Sequence, residues 1–448
     1  MQPDLSYIAI LGAGESGTGA AVLAKSRGAQ VWLSDAGRIQ DTYRAVLEQH
    51  GIGFEEGGHT EEKIWAADVI VKSPGIPDKA PIVQRLREAG KQIVSEIEFG
   101  SWFTDARIVA LTGSNGKTTT TSLVWHLLHT AGYDVALGGN IGQSFAYLVA
   151  TTRPAWYVLE VSSFQLDDIQ RFRPDVSVLL NITPDHLDRY QYNLDLYAAA
   201  KFRIAENQTP ADVFIYCQDD PGIMSRLGAY PVLAQRQGFA LAAGPDTRAW
   251  LEDGMIVADG EALLPFGETQ LMGRHNQLNT LSAVLAARAC GVPAEAIREG
   301  LRTFRPIEHR LEPVTTAGGV LYINDSKATN VDSVFFALEG MTRPVIWLAG
   351  GVDKGNDYTV LQPLVRDKVK AIVTLGPDTD KFYRDFDKPV TPTMHMTEAV
   401  AAAVRLATPG DVVLLSPACA SFDLFRNYED RGRQFKDAVM KTVQHIHP

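Results

Sequence analysis

The sequence predicts three consecutive α/β domains, on three observations. Its 448 residues exceed what one ordinary hydrophobic core holds. Short β-rich runs alternate with helical stretches along the chain, a pattern that builds parallel sheets covered by helices. Two glycine-rich turns, in 8-IAILGAGESGTGAAVLA-24 and 108-IVALTGSNGKTTTTSLVWHLL-128, each carry an apolar strand into a helix.

In the first domain the runs 8–11, 31–33, 69–71 and 93–94 read as strands, with helices over 17–28 and 80–89 between them. The second opens with the strand 107–111, continues through 156-WYVLEVSS-163 and 176-VSVLLNIT-183, and ends with an alanine-rich helix over 277–290. The third contains 320-VLYINDSK-327, 345-VIWLAGG-351, 371-AIVTLG-376 and 412-VVLLSP-417. The periodicity breaks at Gly100 and Ser101 and again at Arg305 and Pro306, which sets domains of 1–100, 101–306 and 307–448.

Composition removes several classes of function. A net charge of −11 and a pI near 5.4 disfavour nucleic acid and membrane surfaces, both polyanionic. Any anionic ligand must therefore be gripped locally. Cys217, Cys290 and Cys419 are widely spaced and odd in number, as in a reducing cytoplasm. The N-terminal apolar run feeds directly into a glycine turn without a basic leader, and no run reaches the roughly 18 apolar residues of a membrane span. A cytoplasmic monomer acting on small molecules is expected.

Gly12, Gly14 and Gly17 satisfy G-x-G-x-x-G, and Asp35 follows at the end of the next strand. Glycines there let the backbone approach a diphosphate at a helix N-terminus, and the acid receives a ribose hydroxyl; the bland alternative is a tight strand-to-helix turn. The second loop departs from G-x-x-x-x-G-K-[ST], because Leu111 stands where the first glycine belongs. Gly113, Ser114, Asn115, Gly116, Lys117, Thr118 and Thr119 remain: backbone N–H groups to cradle phosphates, an ammonium for the β/γ oxygens and a hydroxyl for Mg²⁺. This makes the first domain Rossmann-like and the second P-loop ATPase-like, with another Rossmann-like domain at the C-terminus.

Glu160 interrupts an apolar strand, and Asp185 and His186 follow another, so both groups stand at strand C-termini where ligands of parallel sheets gather. A metal role competes with an edge residue for Glu160 and a helix N-cap for Asp185. Lys201, in 195-DLYAAAKFRIAEN-207, reads on its chemistry alone as a solvated helical lysine. His275, Asn276 and Asn279 stand at a helix start, fit for a base or ribose or for capping. Arg310, beside His309, could reach a phosphate on domain closure or make an ion pair.

TGSNGKTT, LEVSSFQL, NITPDHLDRY, the lysine of AAKFRI, GRHNQLN, EHR and NDSKATN occur in the order seen in the Mur ligases, which the chain resembles over nearly its whole length. These are ATP-dependent amide-forming enzymes of peptidoglycan synthesis. 323-INDSKATN-330, GGVDKG and 415-LSPACASFDLF-425 are similar to members that add D-glutamate to UDP-MurNAc-L-Ala. The resemblance implies a UDP-sugar on the first loop, with Gly14, Ser16, Gly17, Thr18, Asp35, Ser73, Asn140, Ser162 and His186 toward it. It implies ATP on the second loop, with Asn276, Asn279, Arg310, Asp325 and Lys327 assisting, and D-glutamate at Thr329, Lys354, Ser421, Phe422 and Tyr428. It further implies one Mg²⁺ on Thr118 and Glu160 and a second on His186 and Lys201, the latter carbamylated by CO₂.

Tyr428 replaces a phenylalanine of the family's C-terminal motif, and Arg38 stands three residues after Asp35 in the uracil region. A dehydrogenase reading uses the first loop and Asp35 but leaves Lys117, Glu160 and Lys201 unexplained. A non-catalytic nucleotide-binding module would need a degenerate ATP constellation, and a sibling or folyl-polyglutamate-type ligase is disfavoured by NDSKATN and SPACAS.

Overall fold

The structure is a computed structural model and describes residues 5–305, 308–352, 356–421 and 423–444. It falls into two compact units, 1–269 with 278–304, and 270–277 with 305–448.

The first unit holds two sheets. One has five parallel strands in the order Gly53–Glu56, Gln30–Asp35, Tyr7–Leu11, Val69–Lys72 and Ile93–Ser95. Chain direction across the sheet reverses between Tyr7–Leu11 and Val69–Lys72, and ligands of such sheets bind at the C-terminal ends of strands beside that reversal. The first glycine loop and Ser73 both stand there.

The other sheet has nine strands, ordered Glu261–Pro265, Met255–Ala258, Thr247–Glu252, Gln235–Phe239, Val213–Cys217, Val176–Leu179, Arg107–Thr112, Trp156–Glu160 and Val135–Gly139. Arg107–Thr112, which feeds the second loop, is flanked by the strands that end near Glu160 and Asn181. Its six parallel pairings agree with the expected architecture. The antiparallel edge does not: Asp253 and Gly254, then Asp259 and Gly260, all have positive φ and close tight hairpins.

The second unit's sheet runs Glu312–Ala317, Val320–Asn324, Val412–Leu415, Val345–Ala349, Val369–Leu375 and Val390–Thr393, parallel except for its first pair. Val345, Trp347 and Ala349 enter one buried cluster while Ile346 and Leu348 enter another. Both faces are therefore covered, which is why these strands are continuously apolar and do not alternate. Among the described residues no helix is long and apolar enough to cross a membrane.

Candidate active site

In the first loop, Gly17 packs so closely on Gly12 that a Cβ there would stand 1.8 Å from the Gly12 carbonyl oxygen. Gly14 is exposed at the N-terminus of helix Glu15–Ser26 and its hydroxyl-bearing successors Ser16 and Thr18 follow, Thr18 donating to Ala13 O at 3.4 Å. Asp35 accepts from Ala13 N–H and Gly37 N–H, both at 2.7 Å, so its carboxylate shapes the loop. Ser73 donates to Gly12 O at 3.3 Å. Arg38 is exposed and lies 3.7 Å from Asp41, a surface pair of little energetic weight.

The second loop is a backbone cradle held from one side. Gly116 has φ 84°, and a Cβ there would stand 2.3 Å from Asn279 Oδ1, which brings Asn279 against the loop. Asn115 N–H donates to Asn181 Oδ1 at 2.8 Å, and Ser114 Oγ donates to Thr183 O and accepts from Thr183 N–H, both at 2.9 Å. Lys117 begins the helix Lys117–Thr130 and folds back, Nζ donating to Gly113 O at 2.8 Å and Ser114 O at 2.9 Å.

Lys201 is buried, which corrects the solvated reading of its side chain. It projects from helix Leu194–Phe202 and donates to the same Gly113 O at 2.7 Å, above the Tyr197 ring at 4.4 Å. Burial, then repulsion from Lys117, holds its pKa well below the ordinary lysine value. Asp185, Asp167 and Glu160 pull the other way and are outweighed. A neutral amine is the form that reacts with CO₂.

Glu160 is likewise buried, on an interior strand and not an edge. Asn140 Nδ2 donates to its Oε1 at 2.8 Å, whereas Oε2 is buried without a donor. An orphaned carboxylate oxygen below a loop that offers Thr118 suits a hard cation. Among the described residues no three His, Cys, Asp or Glu side chains converge on a metal site.

The N-cap alternative weighed for Asp185 is not taken up; His186 occupies that position before a short turn of 3₁₀ helix, at φ 52°. The His186 ring is exposed and meets the edge of Phe164, centroids 5.3 Å apart. Ser162 caps helix Ser163–Leu166 in a reciprocal box with Gln165.

In the second unit Asp325 accepts from Ser416 Oγ at 2.8 Å and Leu311 N–H at 3.1 Å, and burial pushes its pKa to about 7 despite Arg310 nearby. Arg310 keeps a buried Nε without an acceptor. Asn276 donates to Met272 O at 2.9 Å, and Thr329 N–H to Lys327 O at 2.9 Å. The Lys327 ammonium lies 5.4 Å from the centre of the Tyr428 ring, which also meets His309 edge-on. Ser421 is buried; Lys354 and Phe422 lie outside the described residues.

Three groups escaped the sequence reading. Buried Arg431 donates to Ser326 Oγ, Ser326 O and Cys419 O, tying NDSKATN to SPACAS. Tyr197 stands one helical turn before Lys201 and its hydroxyl lies within hydrogen-bonding distance of Ser114 Oγ, at 3.3 Å. Glu98 accepts backbone N–H bonds from Gln170, Arg171 and Phe172 across the first two sheets. Tyr197 was findable from its i, i+4 spacing to Lys201.

Residues 7–82 match the MurD N-terminal domain, 111–287 the Mur ligase middle domain and 309–419 the Mur ligase glutamate ligase domain, one for each sheet. A UDP-N-acetylmuramoylalanine--D-glutamate ligase of Christiangramia forsetii is 52% identical over 96% of this chain and 98% of its own length. The chain belongs to the Mur ligase family. A ligase of the same name from Bacteroides fragilis is 49% identical over 97% of this chain and 99% of its own. Among solved structures, the Mur ligase fold recurs in UDP-N-acetylmuramate-alanine ligase of Thermotoga maritima, at TM-score 0.61 and 18% identity over 98% of this chain and all of that one. MurF ligase of the same organism, in complex with ADP, gives TM-score 0.61 at 16% identity over 86% of this chain and 92% of that one.

Proposed function

We propose that this chain is an ATP-dependent amide ligase joining D-glutamate to UDP-N-acetylmuramoyl-L-alanine, in the cytoplasmic stage of peptidoglycan precursor synthesis. The observation that carries the reading is the convergence of Lys117 and Lys201 on the Gly113 carbonyl beside Glu160, in a chain matched end to end by relatives of that name. Domains of 1–100, 101–306 and 307–448 divide the UDP-sugar, ATP and amino acid among them.

Gly14, Ser16, Gly17 and Thr18 hold the UDP diphosphate on a helix N-terminus, with Asp35 and Ser73 shaping the loop and Asn140, Ser162 and His186 along the sugar arm. The alanyl carboxylate oxygen bonds to the γ-phosphorus of ATP as the bond to ADP breaks, giving an acyl phosphate. The D-glutamate nitrogen then bonds to the acyl carbon, a tetrahedral intermediate expels phosphate, and the amine's surplus proton passes to solvent. Lys117 leaves its loop carbonyls for the β/γ oxygens, where its charge matters most as negative charge moves toward ADP. Asn276, Asn279, Arg310, Asp325 and Lys327 orient ATP and the transferring group, and Thr329, Lys354, Ser421, Phe422 and Tyr428 hold D-glutamate.

Thr118 and Glu160 would hold one Mg²⁺, and His186 with carbamylated Lys201 a second; bound there, magnesium neutralises charge on the phosphoryl group. The neutral Lys201 amine adds to CO₂ carbon and loses a proton, which puts a carboxylate that attracts metal where a protonated lysine would repel it.

Phosphate release is the test, with ATP, UDP-MurNAc-L-Ala and a panel of amino acids. D-glutamate alone should support turnover, with L-glutamate and meso-diaminopimelate near background. Equal turnover with diaminopimelate would defeat the assignment.

A further inference from the structure

Arg189 has no part in the roles above, although it stands three residues after His186 in 184-PDHLDRYQY-192. Its half-buried guanidinium reaches out of that loop to the first sheet's domain. There it donates to the carbonyls of Pro74 at 3.2 Å, Gly75 at 3.4 Å and Ile76 at 3.4 Å. These acceptors are consecutive backbone groups of one turn, closed by Ile76 N–H on Ser73 O at 3.1 Å. A planar fork of donors is the side chain suited to reading such a turn.

The turn begins at Ser73, whose hydroxyl donates to Gly12 O in the first glycine loop. The other face of the contact leads to His186. The guanidinium lies 4.4 Å from the centre of the Phe164 ring, and Phe164 in turn meets His186 edge-on and stacks on Tyr190. His186, Gln191 and Tyr192 all have φ between 52° and 56°, a left-handed conformation that non-glycine residues keep only when their surroundings hold it. Arg189 stands between them, anchored at both ends.

We propose that Arg189 is a positioning residue for the UDP-sugar substrate. It locks the Ser73 turn and the His186 loop into one platform, so that a diphosphate seated on the first glycine loop presents its sugar arm in register with His186. The inference rests on the reading under Proposed function and adds to it a residue that touches no substrate.

The test compares full-length wild type with Arg189→Ala and Arg189→Lys, by steady-state kinetics and by calorimetric titration with UDP-MurNAc-L-Ala. For Arg189→Ala the KM and the dissociation constant for UDP-MurNAc-L-Ala should rise about tenfold, the loss expected when charge-assisted hydrogen bonds go. KM for ATP and for D-glutamate should stay as in wild type, which general loosening of the fold would not spare. Arg189→Lys should recover only part of the binding, because a single ammonium cannot fork across three carbonyls. Unchanged UDP-MurNAc-L-Ala binding in Arg189→Ala, or an equal rise for all three substrates, overturns the proposal. If Arg189→Ala does not fold, Arg189→Met keeps the stem on Phe164 and is read by the same criteria. Wild type that binds UDP-MurNAc-L-Ala but releases no phosphate with D-glutamate refutes the function reading alone, since the Arg189 effect is still measured in binding; wild type that does not bind it refutes both.

Discussion

The two glycine loops share a plan, strand into turn into helix, and differ in the charge around them. Acids surround the first: Asp35 takes Ala13 N–H, and Glu15 accepts from Ser144 N–H at 3.1 Å. Lysines crowd the second, where Lys117 Nζ and Lys201 Nζ donate to one carbonyl oxygen and burial beside Lys117 drives the Lys201 amine toward its neutral form. A diphosphate that only has to be held needs backbone N–H groups and a shaped turn. A phosphoryl group that has to move needs positive charge where negative charge develops. The contrast teaches that the glycine pattern says where phosphate sits, while the side chains beside it say whether chemistry follows.

That contrast can be broken at the second loop first. Lys201→Ala should keep its fold and lose on the order of a hundredfold or more in turnover, the loss expected for a charged group at the phosphoryl site. Added acetate should restore part of it by supplying a carboxylate in the vacated space. Full activity of Lys201→Ala without acid would return this lysine to a structural role.

A smaller effect is expected where the acidic region meets the second sheet. Glu96 is buried, accepts from Ala146 N–H and leaves Oε2 without a partner; burial, then Glu15, moves its pKa up to about 8. The folded state therefore holds a proton that the unfolded chain releases near the ordinary glutamate value. Its contribution to stability falls as pH rises from about 4.5 to about 8. Glu96→Gln should raise the thermal midpoint by a few degrees at pH 9 and change it little at pH 5. An equal shift at both values would remove proton linkage as the cause.

Much of this was legible in the sequence, and the exceptions have physical reasons. Apolar runs marked the central strands because both faces of these sheets are covered. Polar edge strands have no such runs, yet 252-EDGM-255 and 258-ADGE-261 each carry the Asp-Gly pair that closes a tight hairpin, a signal left unused. Arg431 sits in 426-RNYEDRGRQF-435, whose charge density reads as a solvated helix face. Pattern does not reveal an arginine buried against Ser326, more than 100 residues away in the chain. Lys201 drew attention only through family resemblance, since its burial depends on a loop 88 residues earlier.

The central claim, two loops for two ligands, is tested most directly by one crossed titration. Gly17→Val and Lys117→Ala are each titrated calorimetrically with UDP-MurNAc-L-Ala and with a non-hydrolysable ATP analogue. Gly17→Val forces a side chain onto the Gly12 carbonyl and should lose the UDP-sugar while binding the ATP analogue as wild type does. Lys117→Ala should bind the UDP-sugar normally and weaken the ATP analogue by about tenfold or more. Loss of both ligands together in either folded variant, or loss of the UDP-sugar alone in Lys117→Ala, would contradict the account.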